Sequence, residues 1–575
     1  MANPSNAAGG RRHVFESFYY IVAFVFIRIA CIELCDASTV VDGYRLIQYD
    51  ISGAPFGSRA ASLNHHVGSS LSVHGSDLSR TVVMLYLREL DETFIREYIE
   101  QGKPLGGLLI VLPQAFSYDI YQTLVFCVFT KEKKQLADLE QKLIHRPIQY
   151  PVYFAFECKD LAFVLADIRK NDAFGQPATA TIGRHKLMVT SPAPKKLASP
   201  TIINIQGWLP GMKTDQDSSQ LPTIAILASY DTFGAAPAIS VGSDSNGSGV
   251  VALLEIARLF SILYSNPNTR GSYNILFGLT SGGPYNYYGT EKWLRSFNQS
   301  LRESIDYAIC LNSLSSAKNG LWLHVSKPPG NAYVKKIFEA TEEFGLKVGL
   351  KYKRINVSDS RVAWEHEQFS WSGVTAATLS RLSDAPNFLE NTGGISDKRK
   401  FINEEAVVQS IKLVSESLAR HIYGKDGKNI SIFADKSSLA ISPTYVLSWL
   451  SLLSETPRVA PFLSKDNTFI MALKKELADH VVEVQLQHNV MDDMFTFYDS
   501  TVNILRIYQV AYVTFDLLLL LVIGLYLTAL FSFLLIATRS DDEQGRGLKQ
   551  VTLKKARRLR SRQWHESRSA IQLNL

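Results

Sequence analysis

Cysteine is scarce in this sequence, with five residues in a chain of 575. Cys31 and Cys35 lie in an N-terminal segment that we expect to be removed. The cysteines that remain are Cys127, Cys158 and Cys310. Three cysteines form at most one internal disulfide, so the pattern excludes a small disulfide-stabilised scaffold. The sequence leaves open which of the three would pair.

A strong charge of one sign is also missing from the body of the chain. The formal net charge is +6, from 60 Lys and Arg against 54 Asp and Glu. Residues 539–575 contain ten basic and four acidic residues, an excess equal to the net charge of the whole chain. The rest is balanced, which excludes a body built for specific nucleic-acid binding. The basic excess belongs to a C-terminal tail.

Long uncharged runs are rare, and the clearest one is Leu517–Thr538, which reads LLLLLVIGLYLTALFSFLLIAT. About 20 apolar residues in a helix span the hydrocarbon core of a bilayer. A buried soluble helix is the alternative, but such a helix is rarely apolar on every face and followed at once by a basic run. We predict a single transmembrane helix over residues 514–538. The positive-inside rule then places the tail, residues 539–575, in the cytoplasm and the bulk of the chain in the lumen.

The N-terminus has the layout of a secretory signal peptide. Arg11 and Arg12 precede the apolar run Phe18–Ile27, and small residues follow near Ala37. We predict a signal peptide within residues 1–42, with an uncleaved anchor as the alternative. In a lumenal domain, three Asn-X-Ser sequons are candidate glycosylation sites: Asn298, Asn356 and Asn429. A further sequon at Asn246 is expected to lie at a buried turn.

Residues 43–190 alternate short apolar runs with helical stretches and predict an N-terminal α/β subdomain. The Pro-rich piece Ser191–Pro200 predicts an exposed connector. Strand-like and helical runs then alternate over residues 200–425, which indicates an α/β sheet flanked by helices. Residues 435–510 are predicted to be mostly helical and to lead into the membrane span. Ligands of open α/β sheets bind at the carboxyl ends of strands.

The segment Ile226–Arg258 shows such a strand end, followed by a small-residue turn and a helix that reads GVVALLEIAR. It resembles the cocatalytic zinc aminopeptidases, in which a strand ends in H-x-D before GADDNASG and a helix that reads GVAALLELAR. Three further motifs follow in the family's order. They are SGGPYNYYGT after a second strand, CLNSL at the end of a third, and WEHEQF (Trp364–Phe369) before a fourth. The resemblance covers about Pro200–Tyr423 and implies a zinc-aminopeptidase-like mixed sheet.

The resemblance also assigns site positions, and most of the family's ligands are replaced. Such a site uses two His, a bridging Asp and further Asp or Glu ligands, with a Glu as general base. In this sequence Ser229 stands at the position of the first His, and Ser245 stands at the position of the bridging Asp. Gly283 replaces the Glu that acts as base, Pro284 replaces the second Glu, and Asn312 aligns with the later Asp. Two positions are kept, the second-shell Asp231 and the ligand His366. One imidazole does not hold a zinc ion that needs three or four protein ligands. We therefore predict no metal, no cofactor and no catalytic residue.

Two alternatives follow for the polar groups that remain. Ser229, His366 and Asp231 could form a hydrolase triad, although no nucleophile elbow or oxyanion hole is evident in the sequence. The favoured interpretation is a set of vestigial polar groups that hydrogen-bond to one another or to trapped water.

Among non-catalytic relatives, the chain resembles the nicastrin-like family. Gly283 stands where nicastrins keep a glutamate, and the shorter chain with its long basic tail is more similar to the nicalin branch. The resemblance implies a scaffold subunit of an endoplasmic reticulum membrane complex. Its implied partners are nodal modulator and a small multipass membrane protein. Through them it would assist multipass protein biogenesis at the ribosome-bound translocon and influence receptor assembly and signalling. The alternative is a membrane-tethered lumenal hydrolase, or a peptide-binding receptor, that acts without zinc.

Overall fold

The structure is a computed structural model that describes residues 38–571 apart from 74–76, 115–125, 174–184, 214–219, 317–319, 328–347, 357, 359–360, 387–392, 425–430, 465, 492–493, 500–501 and 511–512. The described chain forms two compact units, divided between Tyr508 and Gln509. The predicted signal peptide lies largely outside the described residues. Its last part, from Ser38 onward, belongs to a strand of the first unit.

The first unit contains the strands, which are β1 (Ser38–Arg45), β2 (Gln48–Ile51), β3 (Ala54–Ser58), β4 (Leu63–Gly68), β5 (Thr81–Tyr86), β6 (Gly107–Leu112), β7 (Pro147–Ile148), β8 (Val152–Phe156), β9 (His185–Val189), β10 (Thr201–Leu209), β11 (Thr223–Ser229), β12 (Asn274–Thr280), β13 (Ile305–Leu311), β14 (Leu321–Val325), β15 (Val348–Tyr352), β16 (Ala376–Ser380), β17 (Val482–Val490), β18 (Phe495–Phe497) and β19 (Val502–Gln509). The longer helices are α1 (Phe126–Ile144), α2 (Lys159–Ala173), α3 (Ser248–Ser265), α4 (Tyr288–Ser296), α5 (Gln299–Ser304), α6 (Glu365–Trp371), α7 (Glu404–Tyr423), α8 (Pro443–Glu455), α9 (Thr468–His480) and α10 (Val513–Ile571).

The predicted N-terminal subdomain is built around a closed barrel with the strand order β1-β19-β9-β4-β5-β6-β8. Strands β5 and β6 carry the sequences TVVMLY and GLLIVL, and every residue in both is buried. They are apolar throughout because neighbouring parallel strands run beside them and both of their faces are covered. Both strands are among the short apolar runs from which an α/β subdomain was predicted for residues 43–190.

The second sheet has the order β15-β14-β16-β13-β11-β12-β10-β17, with parallel pairing from β12 through β11 and β13 to β16. Alternate residues of β11 face opposite layers. Ile224 and Ile226 pack with α3, α7, α8 and α9, whereas Ala225 and Leu227 pack with α4 and α6. Each aliphatic side chain of this kind stabilises the fold by about 1.5–3 kcal/mol when buried. The predicted mixed sheet flanked by helices is confirmed.

The C-terminal part of the first unit differs from the expectation for residues 435–510. Helices α8 and α9 are present, but the chain then forms β17, β18 and β19. Each of these strands pairs antiparallel with a strand from much earlier in the chain, namely β10, β2 and β1. The three strands depend on long-range pairing, and β17 is a half-exposed edge strand without a continuous apolar run. The local sequence pattern therefore did not predict these three strands.

The second unit contains α10. Its segment Leu517–Ile536 has a mean hydropathy of 2.7 and none of it is buried within the protein. Helix α3 is also long and apolar, but its mean hydropathy is lower, at 1.5, and it is mostly buried in the core of the large sheet. Leu517–Ile536 is thus the candidate membrane span, and the helix continues from it through the basic tail to Ile571.

A buried glutamate joins the barrel subdomain to the large sheet. Glu140 of α1 accepts backbone N–H bonds from Ala235 (3.1 Å) and Ile395 (3.0 Å), two loop residues that follow β11 and β16. Burial raises the pKa of Glu140 to about 7, although these N–H donors and the nearby Lys398 favour the ionised form. Glu140 therefore stays protonated in the fold at pH values at which it ionises in the unfolded chain.

This difference predicts an unusual pH dependence for Glu140→Gln. The native state binds more protons than the unfolded state between about pH 4.5 and pH 7, so the contribution of Glu140 falls as pH rises through that range. We expect the Glu140→Gln variant to gain on the order of 2–3 kcal/mol relative to wild type between pH 5 and pH 8. Thermal unfolding of the full chain in detergent at both pH values tests this. The prediction is contradicted if the difference in unfolding free energy between the variant and wild type is the same at pH 5 and pH 8.

Candidate functional site

The site positions assigned from the sequence come from the carboxyl ends of adjacent strands. Ser229 ends β11, Gly283 and Pro284 lie in the turn after β12, and Asn312 follows β13. Because these strands are parallel neighbours, their ends meet at one edge of the sheet. His366 comes from α6 on one face of the same sheet.

Asp231 lies among these strand ends and is fully buried. Its carboxylate accepts hydrogen bonds from Ser229 Oγ (3.0 Å), the Gly282 N–H (2.8 Å) and the Gly283 N–H (3.1 Å). Burial raises the pKa of Asp231 to about 6, and these three donors oppose that rise by stabilising the carboxylate. Both carboxylate oxygens are thus engaged by the protein itself.

Gly283, at the position of the family's general base, has no room for a side chain. A Cβ added there would lie 2.2 Å from Ser229 Oγ and 3.0 Å from Ser229 Cβ. The next residue, Pro284, is buried in a turn in which Asn286 and Tyr287 have positive φ. Ser229 therefore occupies the space into which a side chain from position 283 would project.

Amide groups link the remaining strand ends. Asn246 donates to the Asp231 backbone carbonyl (2.6 Å), and Asn312 Nδ2 donates to Asn246 Oδ1 (3.0 Å). Asn246 is 2% exposed, as expected for a sequon at a buried turn. The Ser245 N–H donates to Asp397 Oδ2 (2.8 Å), so Asp397 holds the turn in which Ser245 lies. Such a network satisfies buried polar groups without a metal ion.

His366 is buried and its Nδ1 lies 2.8 Å from Thr378 Oγ1. Burial lowers the pKa of His366 to about 3, with His324 nearby adding to the effect, so the imidazole is neutral. Ser229 Oγ donates to Asp231 and not to His366. The structure thus brings Ser229 and Asp231 together but does not join His366 to them as a triad.

Glu365 and Arg458 are buried charged residues of this region that the sequence analysis missed. Glu365 Oε1 accepts from Thr280 Oγ1 (2.6 Å) and Thr290 Oγ1 (2.7 Å), and burial raises its pKa. Its position beside His366 in the WEHEQF motif could have identified it. Arg458 carries no local signal, since it lies far along the chain from the site.

Arg458 is fully buried behind the end of β11. Its guanidinium donates to the carbonyls of Tyr230 (2.7 Å) and Gly242 (3.0 Å), and also to that of Leu453. Burial lowers the pKa of Arg458 to about 10, while Asp397 and Asp231 act in the opposite direction. The guanidinium remains charged and supplies positive potential next to buried acids.

These residues do not fit a zinc pair. Asp231 already has its donors, Ser229 occupies the space beside Gly283, and His366 is the one imidazole among the assigned positions. Among the residues that the structure describes, no three His, Cys, Asp or Glu side chains lie in an arrangement that could hold a metal ion. Zinc sites in proteins need three or four such ligands.

The candidate glycosylation sites differ in what the structure describes. Asn298 and Asn356 are exposed, and the Asn298 side chain caps α5 through the Leu301 N–H (2.7 Å). Asn429 lies outside the described residues. Cys158 and Cys310 have free thiols, and nothing is described of the Cys127 side chain.

Comparison with known proteins gives matches of two kinds. The profile of the nicastrin large lobe matches residues 222–360. The crystal structure of nicastrin, the gamma-secretase component, aligns with a TM-score of 0.58 at 10% identity, over 81% of this chain and 99% of that one. The rat protein named BOS complex subunit NCLN is 32% identical over 520 residues, which are 86% of this chain and 88% of the relative. Nicalin of Caenorhabditis elegans is 28% identical over 412 residues, covering 67% and 69% of the two chains.

The fold and the matched lobe define the class as nicastrin-like in fold, with a mixed α/β sheet flanked by helices. That class was predicted from the sequence and is confirmed. Identity over most of both chains narrows the class further, and the chain belongs to the nicalin family.

The contact between Ser229 and position 283 gives a test by double mutation. Gly283→Ala places a Cβ against Ser229 Oγ and is expected to destabilise the fold by about 1–3 kcal/mol. Ser229→Gly removes the opposing atoms, so the double variant should be more stable than Gly283→Ala alone. Pulse proteolysis of the full chain in detergent measures both.

Gly547→Ala serves as the control, because a Cβ at Gly547 meets nothing within 4 Å. It should leave the stability of the first unit unchanged. Additive effects of Ser229→Gly and Gly283→Ala would show that the two positions do not compete for space.

Proposed function

We propose that this chain is a non-catalytic subunit of a membrane complex. The observation that carries the proposal is the packing of Ser229 Oγ where a side chain of residue 283 would project, which leaves no place for a general base. A fully engaged Asp231 supports the same conclusion. The relatives named BOS complex subunit NCLN support the subunit role.

In the proposed topology, the first unit is lumenal, Leu517–Ile536 spans the endoplasmic reticulum membrane once, and the basic end of α10 is cytoplasmic. The span supports this because its apolar side chains are exposed, and the basic residues follow it directly. Nodal modulator and a small multipass membrane protein are the proposed partners. The complex would assist multipass protein biogenesis at the translocon and receptor assembly.

The alternative function is a lumenal hydrolase that works without zinc. It would need a nucleophile with a base within hydrogen-bond reach. Ser229 is 2% exposed and donates its hydroxyl hydrogen to Asp231, whose carboxylate also accepts two backbone N–H bonds. Such a hydroxyl is not directed at a substrate, and the subunit role is therefore favoured.

Metal content and peptidase activity distinguish the two functions. We expect full-length protein purified without chelators to contain far less than one zinc per chain and to show no turnover of aminoacyl-p-nitroanilides. Elemental analysis and a chromogenic assay measure these properties. Stoichiometric zinc together with turnover lost in His366→Ala would overturn the proposal.

Purification in a mild detergent tests the subunit role directly. A tagged full-length chain is expected to retain membrane-protein partners at fixed stoichiometry, identified by mass spectrometry. Ser229→Ala is a matched control, because a change at the buried site should not affect partner recovery if the surface and the span bind the partners. Recovery of the chain alone, fully soluble and monodisperse, would count against a complex.

A further inference from the structure

The large sheet ends at β15, whose sequence VGLKY runs into Lys353 and Arg354. Within the described residues, β14 is the only strand that pairs with β15. Leu350 is 36% exposed and Tyr352 is 51% exposed. An edge strand of this kind presents unpaired backbone groups to which a further strand can add.

The direction of these backbone groups follows from one hydrogen bond. The Lys353 N–H donates to the Val325 carbonyl of β14 at 3.0 Å. Because backbone groups alternate in direction along a strand, those of Leu350 and Tyr352 point away from β14, toward the open edge. They are placed to pair with an extended chain.

Strand β15 contributes to the wall of a cavity of about 560 Å³. The lining includes four consecutive residues at the end of this strand, 350–353, together with His324, Trp364 and His366. The His324 and Trp364 rings are in contact, with centroids 4.3 Å apart and an angle of 31° between their planes. A strand that paired with β15 would therefore have a pocket with an aromatic wall available for one of its side chains.

Two of the lining side chains are imidazoles whose pKa is lowered by burial, so they are neutral hydrogen-bonding groups. His324 Nε2 donates to the Leu382 carbonyl at 2.9 Å, which leaves Nδ1 as an acceptor. His366 is held through Nδ1 by Thr378, so its Nε2 is available on the cavity side. Both atoms could bond a polar side chain without any change in charge.

The charges on and near the edge favour an acidic partner. Lys351, Lys353 and Arg354 lie within four consecutive residues, and Lys353 and Arg354 are exposed. The acids that line the cavity are already engaged, since Asp384 accepts from Lys351 (2.8 Å) and Glu367 accepts from the Ala363 N–H (2.9 Å). Opposite charges on adjacent strands stabilise pairing, whereas like charges oppose it.

We propose that β15 and its cavity form a docking site for an extended acidic segment of a partner protein, which adds as a strand to the large sheet. This inference deepens the proposed subunit role, because it names the surface and the chemistry by which one lumenal partner would bind. Lysines on an edge strand also prevent unwanted pairing. The two roles differ in what they predict for an acidic strand. A docking site should bind it, because opposite charges attract, whereas an edge that only prevents pairing should bind no strand.

Fluorescence anisotropy with the full-length chain in detergent tests the site. The probes are a labelled peptide of about eight alternating Val and Glu residues, its Val and Lys counterpart, and an acidic peptide interrupted by proline. We expect the Glu peptide to bind at least about tenfold more tightly than either of the other two, a difference of about 1.4 kcal/mol. If the Glu peptide and the proline-interrupted acidic peptide bind equally well, charge alone explains the binding and strand addition is overturned.

Variants of the edge complete the test. Reversing the exposed charges with Lys353→Glu and Arg354→Glu should invert the preference, so that the Lys peptide binds better. Leu350→Pro removes an outward N–H without changing a bond to β14, and should weaken binding of the Glu peptide about tenfold. Lys475→Ser, an exposed charge on α9, should have no effect.

Absence of binding by every probe, or a Glu peptide indifferent to the charge reversal, overturns the proposal. Because the charge-reversal variant changes only exposed side chains, it stays informative if Leu350→Pro fails to fold. Partner recovery in the purification experiment is measured separately. A failure of strand addition is therefore distinguishable from a failure of the subunit role.

Discussion

The site depends on the hydrogen bonds that the buried carboxylate of Asp231 accepts. Asp231 follows β11 directly and accepts the N–H groups of Gly282 and Gly283 after β12, so it fixes the ends of two parallel strands against each other. In a metallopeptidase the corresponding carboxylate orients a ligand toward a metal ion. Here Ser229 completes its hydrogen bonding. The same Ser229 side chain lies where a Cβ of residue 283 would project, so one packing contact both completes the bonding of Asp231 and fills the space beside Gly283.

Arg458 supplies a buried positive charge close to the buried acids of this region. Arg458 lies close enough to Asp231 and Asp397 for both to affect its pKa, and it bonds the carbonyls of Tyr230 and Gly242. These carbonyl acceptors matter because a buried charge without hydrogen-bond partners is costly. Through these two bonds the guanidinium links the end of β11 to the turn at Gly242.

Local patterns predicted most of the fold, because strands such as β5 and β11 are apolar runs and α3 and α7 have apolar faces of helical period. Ser229, Asp231 and Gly283, which were singled out from the order of the motifs, lie together at the carboxyl ends of the strands. Groups that act over long sequence separations could not be read in this way. Glu140 in α1 contacts loops of the other subdomain, and the strands after α9 form only by pairing with β10, β2 and β1.

Strand β19 closes the barrel by pairing with the first described strand of the chain. It lies between β1 and β9, and its partner residues include Ser38 opposite Tyr508. Because every strand of a closed barrel is paired on both sides, the barrel leaves no free edge strand to which another strand could add. The barrel therefore closes only when residues from both ends of the first unit are in place.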